Sequence, residues 1–189
     1  MPPAMLGENL RALRLGAGRS LTEVAEATQL SPSFLSMVEN GNSDIALGRL
    51  LRVTQFYGVE IADVVGGPAS PGEHQVIHAG ERQHFEFTEE GLDVQFLADA
   101  HHPMRPLLVK FRPGGGMVEP VREAGDAFLY MLSGVVVVSM DESALTLKAG
   151  DTAYLPAERG RLYRNETNQP AVLLSVVLRL EALAELGAR

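Results

Sequence analysis

The 189-residue chain contains no cysteine. Disulfides and thiolate metal sites are therefore excluded, and burial and hydrogen bonding must hold the fold. No segment approaches 18 consecutive apolar residues, so no membrane-spanning helix is expected. The N-terminus also lacks the basic stretch followed by an apolar run that a secretory leader needs. A basic excess is missing too: the formal net charge is −8 at pH 7. Residues 1–66 carry 5 Arg against 7 Asp and Glu, a net −2, and residues 67–189 carry 11 Lys and Arg against 17 Asp and Glu, a net −6. This balance excludes a protein that coats nucleic acid by charge alone, so any DNA contact must come from a few placed groups. What is present is 46% hydrophobic content, over a length that buries one moderate core or two small ones. The expectation is a soluble, cytoplasmic protein.

The first 66 residues read as helices. Leu6, Leu10, Leu13 and Ala17 recur at i, i+4, i+7 and i+11, a first helix ending near Gly16–Gly18 with Arg11 and Arg14 off its stripe. The stretch from Ser20 to Gly41 organises the rest. Ser20 caps a second helix and Glu23, three residues on, completes a capping box. Leu21, Val24, Ala25 and Thr28 make one face of that helix. After a break at Gln29-Leu30-Ser31, Ser31 caps a third helix with Pro32 at its first position, and Gly41 ends it. Leu35 and Val38 form its buried stripe, with Phe34 at the margin. The opposite face, Ser33, Ser36, Met37 and Asn40, carries no charge. A merely solvated face usually carries Lys and Glu, so a neutral face of hydrogen-bonding groups suggests a surface that enters something. Leu47, Leu50, Val53, Thr54 and Tyr57 share a face of a fourth helix closed by Gly58, and Ile61, Val64 and Val65 make a short fifth.

These residues carry a resemblance. The Ser20–Gly41 stretch resembles the helix-turn-helix of the phage-repressor-like (Xre) family, whose second helix enters the DNA major groove. The resemblance implies DNA contacts from Ser20, Ser31, Ser33, Phe34, Ser36, Met37, Asn40 and Asn42. Phe34 would pack on a thymine methyl. Asn40 and Asn42 stand where the family often has basic residues. Phosphates would then be met by the helix N-termini at Ser20 and Ser31, by Asn amides and by Arg19, Arg49 or Arg11.

Composition changes at Gly66-Gly-Pro-Ala-Ser-Pro-Gly72, which has no side chain able to hold a core. The expected division is a DNA-binding domain at 1–66, a linker at 67–72 and a sensor and dimerisation domain at 73–189. Beyond the linker, strand-like runs appear at 83–88, 92–97, 107–111, 128–132, 135–140, 144–147, 152–155 and 172–178, with polar turns between them. They predict an antiparallel sandwich or barrel, and 181–187 reads as a helical turn. Phe128-Leu-Tyr-Met-Leu-Ser-Gly134 and Leu147-Lys-Ala-Gly-Asp-Thr-Ala-Tyr-Leu-Pro156 resemble the two motifs of the cupin double-stranded β-helix. Gly134 and Gly150 supply turn conformations that side chains resist, and Asp151 accepts from turn amides. The implied fold class is α+β in two domains: an N-terminal five-helix helix-turn-helix bundle and a C-terminal all-β cupin barrel.

The cupin resemblance also implies a metal site, which this chain has lost. Family spacing puts the two-His, Glu and later His ligands at Val121, Glu123, Ala127 and Arg161, none of which matches. The five histidines, His74, His78, His84, His101 and His102, fall in neither motif and read as surface or hydrogen-bonded groups. No metal, no cofactor and no catalytic residue is expected. Val121, Glu123, Ala127, Arg161, Tyr154 and Met131 are the candidate effector pocket, with Arg161 either paired to Glu123 or receiving a carboxylate or other anionic group.

Together the two resemblances imply an Xre-cupin transcription regulator: a homodimer that reads a palindromic operator and senses a small molecule through its barrel. The alternative is a metal-dependent cupin enzyme like the hydroxyalkylphosphonate epoxidases, which share the frame but need an iron site that these residues do not supply. A third reading is a regulator that works through protein contacts without a ligand.

Overall fold

The computed structural model describes residues 3–59, 61–65, 76–98, 102–122, 125–141, 143–157 and 159–178. Glu123, His74, His101, the expected linker at 67–72 and the expected helical turn at 181–187 lie outside the described residues. Five helices come first: α1 (Pro3–Gly16), α2 (Leu21–Thr28), α3 (Pro32–Glu39), α4 (Leu47–Tyr57) and α5 (Ile61–Val65). Local chemistry sets their ends. The Ser20 hydroxyl accepts the Glu23 N–H at 3.2 Å while the Glu23 carboxylate accepts the Ser20 N–H at 2.8 Å, closing the capping box. Donation from the Ser20 N–H, then from the Ser20 hydroxyl and the Arg19 guanidinium, holds the Glu23 carboxyl below its ordinary value. The α2–α3 turn is made by Gln29 at φ 58, a left-handed conformation that few residues other than glycine adopt. Ser31 caps α3 by accepting the Phe34 N–H at 3.1 Å. Gly41, at φ 70, turns the chain out of α3 as its position predicts.

α1 and α3 pack unusually closely. A Cβ on Gly7 would lie 2.3 Å from the Val38 carbonyl oxygen, so only glycine permits the approach. Two turns further, Arg14 reaches from α1 to Glu39 at the end of α3, with Nε at 2.7 Å and Nη2 at 2.8 Å from the two carboxylate oxygens. Arg14 also donates to the Arg19 carbonyl, so the pair ties the entry to α2 as well. Both side chains are largely buried, at 12% and 9% exposure. Removing either would leave an uncompensated charge, at a cost of about 3–5 kcal/mol.

The second half is all antiparallel strand: β1 (His84–Phe87), β2 (Leu92–Phe96), β3 (Met104–Phe111), β4 (Asp126–Ser133), β5 (Val135–Met140), β6 (Ser143–Lys148), β7 (Thr152–Leu155), β8 (Arg161–Arg164) and β9 (Ala171–Leu178). One sheet runs β1-β2-β3-β9-β4-β7 and the other β6-β5-β8. Alternation puts Ala127, Leu129 and Met131 of β4, Leu173 and Val177 of β9, and Val136 and Val138 of β5 inside the barrel. β3 and β4 each run three residues longer than the sequence suggests, because both pair along their length with β9. β8 was not expected at all. Its Arg161-Leu-Tyr-Arg164 run is polar at both ends, yet it pairs with β5, and Val121 and Gly116 bridge to it from the β3–β4 connection. Gly134, at φ 77, makes the β4–β5 turn, where a Cβ would meet the Pro170 carbonyl at 2.6 Å.

The α1–α3 approach yields a paired prediction. Gly7→Ala should cost about 1–3 kcal/mol, because the collision is with backbone rather than a movable side chain. Gly16→Ala, on the same helix with nothing within 4 Å of its added methyl, should be neutral or stabilising by about 0.5–1 kcal/mol. Urea unfolding of the two full-length variants, followed by circular dichroism, checks this; equal midpoints would refute the close-packing account.

Candidate nucleic-acid interface and barrel interior

α3 presents the uncharged face that its sequence predicts, with some differences between positions. Ser33 and Met37 are exposed, Met37 at 44%. The Ser31 and Ser33 hydroxyls lie 3.1 Å apart at the helix N-terminus. Ser36 is half-buried, and Asn40 Nδ2 donates to its carbonyl at 2.7 Å, so these two side chains are partly occupied with each other. Asn42 is exposed, and its N–H donates to the Met37 carbonyl at 2.8 Å. Ser20 and Ser31 are exposed at the starts of α2 and α3. Phe34 stands at the margin of the core, as its position predicts, and the Arg49 guanidinium lies over its ring at 5.3 Å. Among the arginines expected to meet phosphate, Arg19 pairs with Glu23 and Arg49 with Glu119, while Arg11 is exposed.

In the barrel, three of the positions that the cupin resemblance assigns to metal ligands, Val121, Ala127 and Arg161, are described, and their side chains do not fit a metal. Val121 and Arg161 form a two-way backbone bridge, each N–H donating to the other's carbonyl at 2.8 Å. Ala127 sits opposite Leu155 and Val177 on β4, fully buried. Val121 and Ala127 offer no donor atom, and Arg161 brings a positive charge where a cation would sit. Arg161 itself is at 0% exposure. Its Nη2 donates to the Leu155 and Pro156 carbonyls at 3.1 and 2.5 Å, stitching the turn after β7 to β8. Met131 is likewise at 0% exposure on the inner wall.

Tyr154 is a correction. The sequence reading placed it in the effector pocket, but it stands on the outer face of the sheet at 66% exposure, directly opposite Phe128. Strand alternation is the reason: Ala153 and Leu155 take the more buried sites on β7, which turns Tyr154 outward. Its phenol donates to the Asp126 carboxylate. That bond, followed by the Ala157 N–H at 2.7 Å, holds Asp126 below its ordinary value and raises the phenol above its own.

A further site escaped the sequence reading: the joint between helices and barrel. Glu90, in the β1–β2 turn and 3% exposed, accepts the Leu47 N–H at 2.7 Å and the Val118 N–H at 3.0 Å. Glu119 accepts from Arg49 at 2.9 Å and Arg52 at 2.7 Å. Gln55 Nε2 donates to the Arg122 carbonyl at 2.8 Å. All four recipients or donors on the helical side belong to α4. No local signal marks Glu90 or Glu119, because their partners lie 28 to 70 residues away. Glu39 did carry a signal: an acidic residue at i+4 from Leu35, on the buried stripe of α3.

Comparison with known proteins agrees with this architecture. A model described as a helix-turn-helix domain matches residues 5–64, and one described as a cupin domain matches residues 107–177. The HTH-type transcriptional regulator PuuR of Escherichia coli (strain K12) is 24% identical over 149 residues, covering 77% of this chain and 80% of that protein. An HTH_3 family transcriptional regulator from Vibrio cholerae superposes with a TM-score of 0.72 at 18% identity, covering 94% of this chain and 97% of that one. The hydroxypropylphosphonic acid epoxidase of S. wedmorenis superposes at 0.51 and 17% identity, covering 94% and 98%, a likeness of fold alone. The chain is therefore a helix-turn-helix domain followed by a cupin domain, and a homologue of PuuR-like helix-turn-helix regulators.

Proposed function

We propose that this chain is a sequence-specific, DNA-binding transcriptional regulator whose cupin barrel takes a small-molecule effector without a metal. The observation that carries the reading is the uncharged, exposed edge of α3, with Ser33 and Met37 flanked by the Ser-capped starts of α2 and α3. Hydroxyl groups and a flexible thioether suit base edges, and the helix N-termini suit phosphates. The enzyme reading is weaker: the epoxidase likeness concerns the fold, and Val121, Ala127 and Arg161 cannot ligate iron. Within the barrel, Arg161 is the group to which an anionic effector would be drawn, displacing its bond to Pro156, with Val121, Ala127 and Met131 as apolar walls.

The outer sheet face supports a homodimer joined through the barrel as part of this reading. Tyr154, Phe128, Val176 and Pro106 align across it in one row, and Tyr130, Leu174 and Leu108 in the next. Phe128, Tyr130, Leu132 and Tyr154 are 37–66% exposed there. The third row, Val172, Lys110, Asp93 and Glu86, turns charged toward β1. An apolar half bounded by a charged rim fits a second copy of the same chain, and two linked half-sites reading a palindrome offset weak charge on each.

Selection of duplexes from a random pool supplies the DNA for the first test. Ser33→Ala should weaken binding to the selected site by about 1–3 kcal/mol while leaving random DNA nearly unaffected. Equal losses on both would show that Ser33 does not read sequence. For assembly, sedimentation should find a dimer at micromolar concentration and mostly monomer for Phe128→Glu/Tyr130→Glu; a wild-type monomer, free and on DNA, would end the dimer reading. For the effector, thermal-shift screening of small carboxylates should raise the Tm of wild type and not of the similarly sized Arg161→Met. Identical responses, or none, would make Arg161 purely structural.

A further inference from the structure

The helical half has no lysine and five arginines, and four of these are already neutralised. Arg14 is held by Glu39 and Arg19 by Glu23, both within the helices. Arg49 and Arg52 are held instead by Glu119, which belongs to the barrel. These two differ from Arg14 in being partly open to water, at 38% and 35% against 12%. Their position matters as much as their charge. The Arg49 guanidinium lies over Phe34, the third residue of α3, so it stands at the rim of the face that the proposed function assigns to DNA. Arg52 follows one turn along α4.

The joint has a buried part, where Glu90 caps α4, and a solvent-open part, and only the open part holds the arginines, so their ion pairs can open while the cap stays in place. Glu119 meets them through a half-exposed, two-arginine contact, the sort of ion pair that phosphate oxygens can replace. α4 begins at Ala46 with no side-chain cap of its own, unlike α2 and α3, and takes its cap from Glu90 of the barrel. Gly48 sits so close that a Cβ there would lie 3.2 Å from the Glu119 Cβ, which lets the barrel loop lie flat on the helix. The polar contacts recorded across the joint all converge on α4.

We propose that Glu119 is an electrostatic latch: docked on α4, it occupies Arg49 and Arg52, and its release hands both arginines to the phosphates flanking the site read by α3. The docked arrangement is thus the state of low DNA affinity, and the barrel controls binding by supplying or withdrawing one carboxylate. This rests on the DNA-binding reading above and adds to it the residues by which the barrel acts.

The test uses full-length protein and a random-sequence duplex, whose binding reports phosphate contacts. Glu119→Gln should bind several-fold tighter than wild type at low salt. Its plot of log affinity against log salt should steepen by about one to two, since each phosphate contact contributes roughly 0.9. Glu86→Gln removes a barrel carboxylate paired with Arg112 instead, and should match wild type. Arg49→Gln/Arg52→Gln should bind more weakly, and adding Glu119→Gln to it should change nothing. The latch is overturned if Glu119→Gln matches Glu86→Gln or binds more weakly than wild type, or if its gain survives loss of both arginines. Failure of every variant, wild type included, to bind any duplex would instead overturn the DNA-binding reading itself.

Discussion

A carboxylate can be buried only where donors meet it, and Glu90 imposes that condition on the whole molecule. At 3% exposure it needs N–H groups from both halves of the chain, and it obtains them from Leu47 at the start of α4 and Val118 in the barrel. Neither half can satisfy it alone. The turn that carries it closes through Gly91 at φ 64, which aims the carboxylate toward the helices. In return α4 receives the cap that Ala46 cannot provide. Ile45, Ala46 and Leu47 are buried at that same point, so the cores of helices and barrel are continuous there. The consequence is a joint with a defined geometry, in which Glu119, Arg49 and Phe34 fall into line.

The helical half was largely legible because its signals are local. A Ser followed three residues later by Glu, a Pro after a Ser, and a Gly after the last apolar residue each act within one turn, and each appears in the structure where its spacing puts it. The barrel's turns were legible for the same reason: Gly134 and Gly150 adopt positive φ, and Asp151 accepts the Lys148 N–H. What could not be read depends on partners far along the chain. β8 shows no apolar alternation because Arg161 takes an inward position that an aliphatic residue would ordinarily fill. Tyr154 was assigned to the wrong face because a motif gives spacing but not the side of the strand. Glu90 and Glu119 looked like any surface acids, and only the fold brings α4 to them.

The barrel also shows how these strands hold together with no metal-binding side chain at Val121, Ala127 or Arg161. A metal would draw together the β3–β4 connection, β4 and the strand that follows the second motif. Here hydrogen bonds hold the segments: the Val121–Arg161 bridge closes two of them, and the Arg161 side chain reaches the end of β7, which pairs with β4, through the Leu155 and Pro156 carbonyls. Burying a guanidinium is costly unless its donors are used, and the turn carbonyls take those of Nη2.

The neutrality of the α3 face has a consequence for recognition. Affinity for random DNA comes mostly from phosphate contacts, whereas discrimination comes from hydrogen bonds and apolar contacts at base edges. A chain with net charge −8 that keeps four of five helical arginines in ion pairs therefore gains little from DNA of arbitrary sequence. In the proposed reading mode, its serines and methionine would gain only where the bases match them. Low affinity for each half-site would then be the same property as a high ratio of specific to non-specific binding. In the proposed homodimer, joining two such heads would multiply the specific term at a matched pair of half-sites, while random DNA would offer the second head no better contact than the first.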